Sequence, residues 1–278
     1  MIKSASSLKG KIKHLANKDV HKAEAYMRIF FMERLLERIS VSKYKEKFIL
    51  KGGMLAASLI GVDLRTTMDM DTTVKGLPLN EADIKSCIEE IASINLDDGV
   101  SFRFISTETI MDDFDYPGVR IHIEGAYEII RQRLKIDIST DDVITPGAIQ
   151  YKYKLIFEDR YIDILTYNTE TLLAEKMQTI LSRSIANTRL RDYYDVYMVS
   201  KTVSYSVNLL VEAFAATCQK RGKVYSRTEA EEILNLIRSD KDMSLRWDGL
   251  KENYFFIEPL EWKEVFEVLE NLILQMIK

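Results

Sequence analysis

Residues 51–75 have the sequence KGGMLAASLIGVDLRTTMDMDTTVK. The order of residue types predicts a short strand, a two-glycine turn, an apolar helix and then a strand that carries Asp69 and Asp71. Successive side chains of a strand point to opposite faces, so the two aspartates share one face, roughly 7 Å apart at the backbone. Like charges held this close require a cation, and a divalent metal ion is the usual one in proteins.

The composition is that of an ordinary globular protein, with 46% hydrophobic and 29% charged residues in a chain of 278. The chain has neither a run of 18 apolar residues nor a signal-peptide core near its start, so we expect a cytoplasmic protein with no membrane partner. Two cysteines and three scattered histidines argue against a disulfide framework and a zinc site. The net charge of −4 argues against wholesale coating of nucleic acid but allows a local basic strip.

The remaining pattern predicts an α+β protein with a helical C-terminal part. Apolar residues recur at helical spacing over residues 8–40, and Asn80 can cap a helix that runs to about residue 94. The β-rich runs that follow are separated by gaps too short for crossover helices, which favours a sheet with many antiparallel neighbours. These runs cover residues 100–110, 119–125, 131–140, 151–157 and 161–167. Helical periodicity dominates from residue 169 onward, so we expect two domains, 1–168 and 169–278.

A basic strip ends in a third candidate metal ligand. In the segment RQRLKIDI, residues 131–138, alternation turns three apolar side chains toward the core, namely Leu134, Ile136 and Ile138. The charged side chains share the opposite face, namely Arg131, Arg133, Lys135 and Asp137. A carboxylate at the end of a basic strip suits a metal site that a polyanion approaches, although a solvated strand face has the same pattern.

Lys176 has an unusual position in the helix that the pattern predicts over residues 169–183. At 100° per residue, it falls within the arc of the apolar side chains. A buried lysine needs a partner, so Lys176 should meet a carboxylate or a phosphate, or else extend to solvent. Farther along, Asp192 and Asp195 are three residues apart and share one helical face. A surface ion pair on a tyrosine-rich packing helix is the alternative interpretation of these two acids.

Two kinds of chemistry fit these residues. Glycines before a helix let a phosphate approach main-chain N–H groups at the positive end of the helix dipole, as Gly52 and Gly53 could. A P-loop is excluded because the chain contains no GxxxxGK[ST] sequence. Two or three carboxylates and a lysine suit two-metal phosphoryl transfer, and they suit a metal-dependent nuclease equally well.

Five motifs, taken in order, resemble those of one protein family. They are Gly52-Gly53-x-Leu55, Arg65-x-Thr67-x-Asp69-x-Asp71, Leu134-Lys135-Ile136-Asp137-Ile138, Ala174-Glu175-Lys176 and Arg191-Asp192-x-x-Asp195. The glycine pair and the aspartate pair are similar to the signature of the polymerase-β-like nucleotidyltransferase superfamily. All five together resemble the AbiEii/AbiGii toxins of type IV toxin–antitoxin and phage-abortive-infection systems. The resemblance covers about residues 48–201 and implies the mixed, largely antiparallel sheet of that superfamily, flanked by helices.

The resemblance also implies a role for each matching residue. Magnesium would be bound by Asp69, Asp71 and Asp137. The nucleotide and its phosphates would be bound by Gly52, Gly53, Arg65 and Thr67. Lys176 would contact the triphosphate, and Asp192 or Asp195 would complete the catalytic site. This chain departs from the pattern at Gly53, where the superfamily often has serine, and at Met54, where relatives often have a small hydroxyl residue.

The function that the resemblance implies is that of a toxin held in check by a cognate antitoxin. The toxin would be a magnesium-dependent enzyme that moves nucleotides from a nucleoside triphosphate (NTP) to an RNA acceptor, with the 3′ end of tRNA as the expected acceptor. A metal-dependent nuclease and a catalytically inactive module that binds nucleotide or RNA are the alternatives.

Overall fold

The computed structural model describes residues 2–77, 80–111, 117–254, 257 and 259–277. They divide into two compact units. Unit 1 comprises Met1–Ser58, Thr66–Asp142 and Ile149–Thr166, and unit 2 comprises Leu59–Arg65, Val143–Ala148 and Tyr167–Lys278. Each unit is therefore built from segments that are separate in the sequence. Within the described ranges, no helix has both the length and the apolar character needed to cross a membrane.

Unit 1 consists of a sheet with helices before and between its strands. The helices are α1 (Ala5–Ala16), α2 (Val20–Val41), α3 (Gly52–Ile60, whose last two residues belong to unit 2) and α4 (Glu81–Ala92). The strands are β1 (Phe48–Lys51), β2 (Met70–Val74), β3 (Val100–Met111), β4 (Pro117–Tyr127), β5 (Ile130–Thr140), β6 (Ile149–Lys154) and β7 (Tyr161–Thr166). As predicted, the side chain of Asn80 caps α4.

The strands of the described residues form one mixed sheet in the order β3-β4-β5-β2-β1-β7-β6. β2 pairs with β5 and β1 pairs with β7 in parallel, whereas the other neighbours are antiparallel. This arrangement confirms the predicted α+β class and its mixed sheet. The two parallel pairs join strands that are far apart in the sequence, and a strand pattern cannot reveal such partners.

The helical region predicted over residues 8–40 is in fact two helices. α1 ends at Ala16, and Asn17 follows with a φ angle of 45°, in the left-handed region. The side chain of Asp19 then caps α2 by accepting a hydrogen bond from the main-chain N–H of Lys22 at 3.0 Å. Asparagine tolerates the left-handed conformation and aspartate is a preferred N-cap, so this short segment ends one helix and starts the next.

The prediction that both aspartates lie on one strand is wrong for Asp69. β2 begins at Met70, so Asp71 is a strand residue and Asp69 immediately precedes the strand. The buried hydroxyl of Thr67 donates a hydrogen bond to the main-chain oxygen of Asp69 at 3.0 Å. Such local side-chain bonds to the main chain compete with strand pairing and favour turns.

The alternation predicted for β5 is confirmed. Its apolar side chains Leu134, Ile136 and Ile138 are each 1% exposed, and α2 packs against this strand. Arg131 and Arg133 are exposed on the opposite face. One face of β5 therefore belongs to the core, and the other presents charged side chains.

Glu33 on α2 is a completely buried acid beneath the sheet of unit 1. Its carboxyl group accepts a hydrogen bond from the main-chain N–H of Ile156 at 3.0 Å. Burial raises the pKa of Glu33 to about 8, against the Ile156 bond, Arg34 and Tyr153, which lower it, while Glu158 raises it further. The folded chain therefore holds Glu33 in its protonated form at neutral pH.

We expect the Glu33→Gln variant to lose a pH dependence of stability that the wild type has. The pKa of Glu33 rises from an ordinary 4.5 to about 8 on folding, so the folded state binds the extra proton in that window. The wild type should then lose stability as pH rises from about 5 to about 8, by on the order of 3 kcal/mol, whereas the neutral amide should not. Urea unfolding at both pH values measures this, with Glu89→Gln at an exposed position as control. Parallel pH profiles of wild type and Glu33→Gln would contradict the assignment.

Unit 2 is mainly helical around its own apolar core. Its elements are α5 (Thr169–Arg183), a 3₁₀ turn (Ser184–Ala186), α6 (Arg191–Thr202), α7 (Val207–Lys220), α8 (Arg227–Ser239), α9 (Lys241–Asn253) and α10 (Trp262–Met276). Trp247 is fully buried in this core, and its indole N–H donates to the main-chain oxygen of Leu260 at 3.0 Å. The predicted helical character of the C-terminal part is confirmed.

Candidate active site

A row of charged side chains crosses four neighbouring strands of unit 1. Asp71 on β2 is in register with Asp137 on β5, Lys51 on β1 is in register with Asp71, and Arg120 on β4 is in register with Asp137. Residues in register on adjacent strands project from the same face, with Cβ atoms about 5 Å apart. The row therefore places two acids side by side, with one base on each flank.

Asp137 is held by an arginine that the motifs do not include. The Nε and Nη2 atoms of Arg120 lie 2.7 and 2.8 Å from the two carboxylate oxygens of Asp137. This forked contact raises the pKa of the Arg120 guanidinium, chiefly through the hydrogen bonds to Asp137. Arg120 thus neutralises Asp137 and fixes the plane of its carboxylate.

Asp69 lies beside a lysine of the basic strip. The Nζ atom of Lys135 is 3.0 Å from Oδ1 of Asp69, which is an ion-pair distance. That oxygen is itself buried and accepts no hydrogen bond of good geometry from the residues that the structure describes. Asp69 therefore has a buried carboxylate oxygen that is suited to bind a cation.

Asp71 is fastened to the first turn of α3. The main-chain N–H of Gly53 donates to Oδ2 of Asp71 at 3.1 Å. Gly52 has a φ angle of 62°, and a Cβ atom placed on it would lie 2.1 Å from that same oxygen. Glycine is therefore required at position 52 both by the backbone conformation and by the close approach of the carboxylate.

The surroundings of Asp71 disfavour the negatively charged form of its carboxyl group. Burial raises the pKa of this half-buried carboxyl to about 6, and the neighbouring carboxylates of Asp137 and Asp69 add to the rise. The Gly53 N–H and the Lys51 ammonium act in the opposite direction. A carboxylate under such repulsion gains from a bound cation.

The three acids are suitable donors for a hard divalent ion. Carboxylate oxygens are the ligands that Mg²⁺ prefers, and Oδ1 of Asp69 is buried and accepts no hydrogen bond from the described residues. In the described part of the chain, no group of three or more His, Cys, Asp or Glu side chains is already assembled around a common point. Two of the carboxylates form ion pairs with basic side chains instead. Arg120 pairs with Asp137, and Lys135 pairs with Asp69.

The other predicted site residues form a buried ionic network in unit 2. Arg65 donates through Nε and Nη2 to the two carboxylate oxygens of Asp195, at 2.6 and 3.1 Å. The Nζ atom of Lys176 lies 2.6 Å from Asp192 and 2.7 Å from Asp195. The partners of Lys176 in this structure are therefore carboxylates, one of the alternatives that its place in the apolar arc allowed.

This network keeps all of its central groups charged. Burial opposes the charge on Lys176, but the attraction of Asp192 and Asp195 outweighs it and raises the lysine pKa. Burial likewise opposes the charge on Asp195, but Arg65 and Lys176 lower its pKa to about 2. A fully buried acid with two basic partners has a strong structural role.

A comparison with protein families gives the identity of the chain. The profile described as "Nucleotidyl transferase AbiEii toxin, Type IV TA system" matches residues 34–270, which is most of the sequence. The chain belongs to the AbiEii family. It is thus a nucleotidyltransferase of a type IV toxin family, and the resemblance carried by its five motifs is confirmed.

Solved structures with similarity to this AbiEii protein include JHP933 from Helicobacter pylori, with 16% identity, 90% of each chain covered and a TM-score of 0.48. An antigenic nucleotidyltransferase-like protein from Paracoccidioides brasiliensis has 14% identity over 78% of this chain and 93% of its own, with a TM-score of 0.40. ANT(2″)-Ia in complex with adenylyl-2″-tobramycin has 10% identity over 70% of this chain and 98% of its own, with a TM-score of 0.42. No curated protein matches the chain.

The AbiEii motifs and the structure agree on some neighbours and add others. Asp71 and Asp137 are brought together, and Arg65, Lys176, Asp192 and Asp195 form one cluster within unit 2. Sequence reasoning missed Arg120 and Asp142, which lies 2.6 Å from Lys51. The polar alternation of β4 was a signal for Arg120, but only the strand register shows that it faces Asp137. The catalytic and binding roles of all these residues stay predictions.

We expect Asp195→Asn to destabilise this AbiEii protein by about 3 kcal/mol, because the amide leaves Arg65 and Lys176 without a buried counter-charge. Asp192→Asn should cost less, since Asp192 is partly exposed, whereas Asp195 is fully buried between Lys176 and Arg65. The pKa of Asp195 falls from 3.8 to about 2 on folding, so its stabilising effect is present above about pH 4 and lost as pH falls toward 2. Urea unfolding at neutral and acidic pH measures both effects, and equal losses for the two variants would contradict the network.

Proposed function

We propose that this AbiEii protein transfers a nucleotide from an NTP to the 3′ end of an RNA, with tRNA as the expected acceptor and Mg²⁺ as the cofactor. The observation that carries this proposal is the pairing of Asp71 with Asp137 in the middle of the charged row. Asp69, whose buried Oδ1 is paired with the Lys135 ammonium, would supply the third metal ligand. Carboxylates grouped in this way are suited to divalent ions that serve phosphoryl transfer.

The reaction is a substitution at the α-phosphorus of the NTP. The RNA 3′ oxygen forms a bond to this phosphorus, its proton passes to solvent, and the bond to the α,β-bridging oxygen breaks so that pyrophosphate leaves. Bound Mg²⁺ would supply charge neutralisation on the triphosphate and would lower the pKa of the attacking hydroxyl. The chain must therefore hold its carboxylates in fixed orientations before substrates arrive.

The side chains around the acids support that orientation. The Gly53 N–H fixes one oxygen of Asp71, and the Thr67 hydroxyl fixes the main chain at Asp69. Arg120 fixes the carboxylate plane of Asp137. In this proposal Thr67 and Gly53 act on the aspartates, in addition to the phosphate binding that the family resemblance implies for them.

The resemblance assigns the triphosphate to Lys176 and nucleotide binding to Arg65, and we keep both as proposals. The charges of Asp192 and Asp195 favour the protonated lysine, which a contact with phosphate requires. Arg65 donates to Asp195 through a forked contact, so it also positions that acid. Asp192 or Asp195 would then serve catalysis by fixing the lysine ammonium.

Membership of a type IV toxin family supports a cognate antitoxin as partner. We propose that expression of the active chain arrests growth of its host and that the antitoxin relieves this arrest. Co-expression of the chain with candidate antitoxins, scored by growth, tests the proposal. The Asp69→Ala variant serves as the inactive control, and arrest by that variant would contradict toxicity through nucleotidyl transfer.

One experiment separates the proposed function from its alternatives. The purified chain is incubated with total RNA, Mg²⁺ and each labelled NTP in turn, with Asp69→Ala and a chelator as controls. We expect label to enter RNA with at least one NTP, and to do so only in the wild type with metal present. RNA that is shortened without any NTP would indicate a nuclease. A folded wild type that neither labels nor shortens RNA would refute the proposal and favour an inactive binding module.

A further inference from the structure

The sheet face that carries Asp71 and Asp137 also carries a line of basic side chains. Lys135, Arg133 and Arg131 precede Asp137 on β5 at every second position, and so they project from the same face. At about 3.3 Å per residue, neighbouring members are roughly 6.6 Å apart, and the line extends about 20 Å from Asp137. It starts at the acids, because Lys135 contacts Asp69.

The far part of this line has uncompensated charge. Glu124 on β4 is in register with Arg133, but its carboxylate lies 3.0 Å from Arg103 on β3. Arg133 itself forms no ion pair within the described ranges of the chain. The guanidinium of Arg131 donates to the main-chain oxygens of Glu128 and Ile130, and it has no carboxylate partner among the residues described. Two exposed guanidinium groups therefore have no carboxylate partner among the residues that the structure describes, in a protein whose net charge is −4.

We propose that Arg131, Arg133 and Lys135, called here the β5 basic track, bind the sugar–phosphate backbone of the RNA acceptor. The 3′ end would lie at Asp71 and Asp137, and the strand would extend toward Arg131. This inference rests on the proposed function, because it takes the acceptor to be RNA. Guanidinium groups bind phosphates through forked hydrogen bonds, and such contacts position a nucleic acid without selecting its sequence.

Strand β6 provides a matched control for the alternative that the track is merely a solvated strand face. Lys152 and Lys154 are exposed and alternate on β6, just as Arg131 and Arg133 do on β5. β6 lies at one edge of the same sheet, separated from β5 by three strands. Neutralising either pair changes the net charge of the protein by the same amount, so only a local effect can distinguish the two double variants.

The test compares Arg131→Gln/Arg133→Gln with Lys152→Gln/Lys154→Gln. Binding of a labelled single-stranded RNA and of bulk tRNA is measured by fluorescence anisotropy over a range of salt concentrations, without NTP. We expect the β5 double variant to bind RNA about tenfold more weakly at low salt, with a salt slope reduced by roughly 1.4, as the loss of two phosphate contacts predicts. Its KM for the NTP and its unfolding midpoint should equal those of the wild type, and the β6 double variant should bind RNA like the wild type.

Three outcomes would overturn the inference: RNA binding by the β5 variant that equals that of the wild type, an equal loss in both double variants, or no RNA binding by the wild type. Failure of the proposed function has a different signature. If the wild type transfers no nucleotide but binds RNA through the β5 basic track, the transferase proposal is refuted and the RNA-binding surface is supported. If the β5 double variant labels RNA as efficiently as the wild type, only the proposal for the β5 basic track would be refuted.

Discussion

Replacing Asp71 with asparagine is expected to lower the rate of nucleotidyl transfer by more than about a hundredfold, since loss of even an outer-shell partner of a metal site has an effect of that size. The fold should tolerate the change. The amide oxygen of asparagine can still accept the hydrogen bond that Gly53 now donates to Oδ2. Removing the charge also relieves the repulsion by Asp137 and Asp69 that helps to raise the pKa of Asp71. Stability should therefore be equal to or slightly above that of the wild type.

The activity is measured as label transferred to RNA, and the stability by urea unfolding. Asp163→Asn is the matched control, because Asp163 is an exposed strand residue of the same sheet, on β7. It should leave both quantities unchanged. Transfer by Asp71→Asn at more than a tenth of the wild-type rate would refute the role of this carboxylate and would favour chemistry that does not use it.

The alternation of side chains made one half of the candidate site predictable. The pattern around Asp137 assigns its face correctly, because a strand that is buried on one side has a period of two. The pairing of Asp137 with Asp71 could not be predicted in the same way. It depends on a parallel register in which the paired residues are more than 60 positions apart in the sequence, and register is fixed by the packing of the whole sheet.

Lys176 illustrates a different limit. Its position in an apolar arc correctly indicated burial and the need for an anionic partner. The helical pattern does not reveal which anion is the partner, because a carboxylate and a phosphate satisfy a buried ammonium in the same way. Asp192 and Asp195 come from α6, the next α-helix of the chain, and their spacing of three residues allows both to reach one ammonium.

The start of β2 shows how a local bond can override a pattern. The sequence TMDMDTTV alternates well enough to predict a strand through Asp69, yet the strand begins one residue later. The Thr67 hydroxyl bonds to the carbonyl of Asp69, and no periodicity records such a contact. The basic strip on β5 had two equally good interpretations for a similar reason, since counter-ions on neighbouring strands are unknown before the register is known.

The glycine turn gives the most specific test of the geometry around Asp71. We expect Gly52→Ala to destabilise the chain by about 3 kcal/mol or more and to abolish most transfer activity. A left-handed alanine costs about 1–2 kcal/mol by itself. The added Cβ atom would also lie 2.1 Å from Oδ2, 2.6 Å from Cγ and 2.7 Å from Cβ of Asp71, so the whole side chain must move. That movement breaks the hydrogen bond from Gly53 and removes the carboxylate from the row.

Gly76→Ala isolates the conformational part of this cost, because Gly76 has a φ angle of 66°, close to the 62° of Gly52. Apart from its chain neighbours, no described residue has an atom within 4 Å of the position of a Cβ on Gly76. This control should lose only about 1–2 kcal/mol and should keep its activity. A second variant separates steric from catalytic effects, since adding Asp71→Gly to Gly52→Ala removes the three atoms nearest to the new Cβ. The double variant should regain stability over Gly52→Ala alone and remain inactive. Equal losses for Gly52→Ala and Gly76→Ala, or activity in the double variant, would show that Gly52 serves the turn and not the position of the carboxylate.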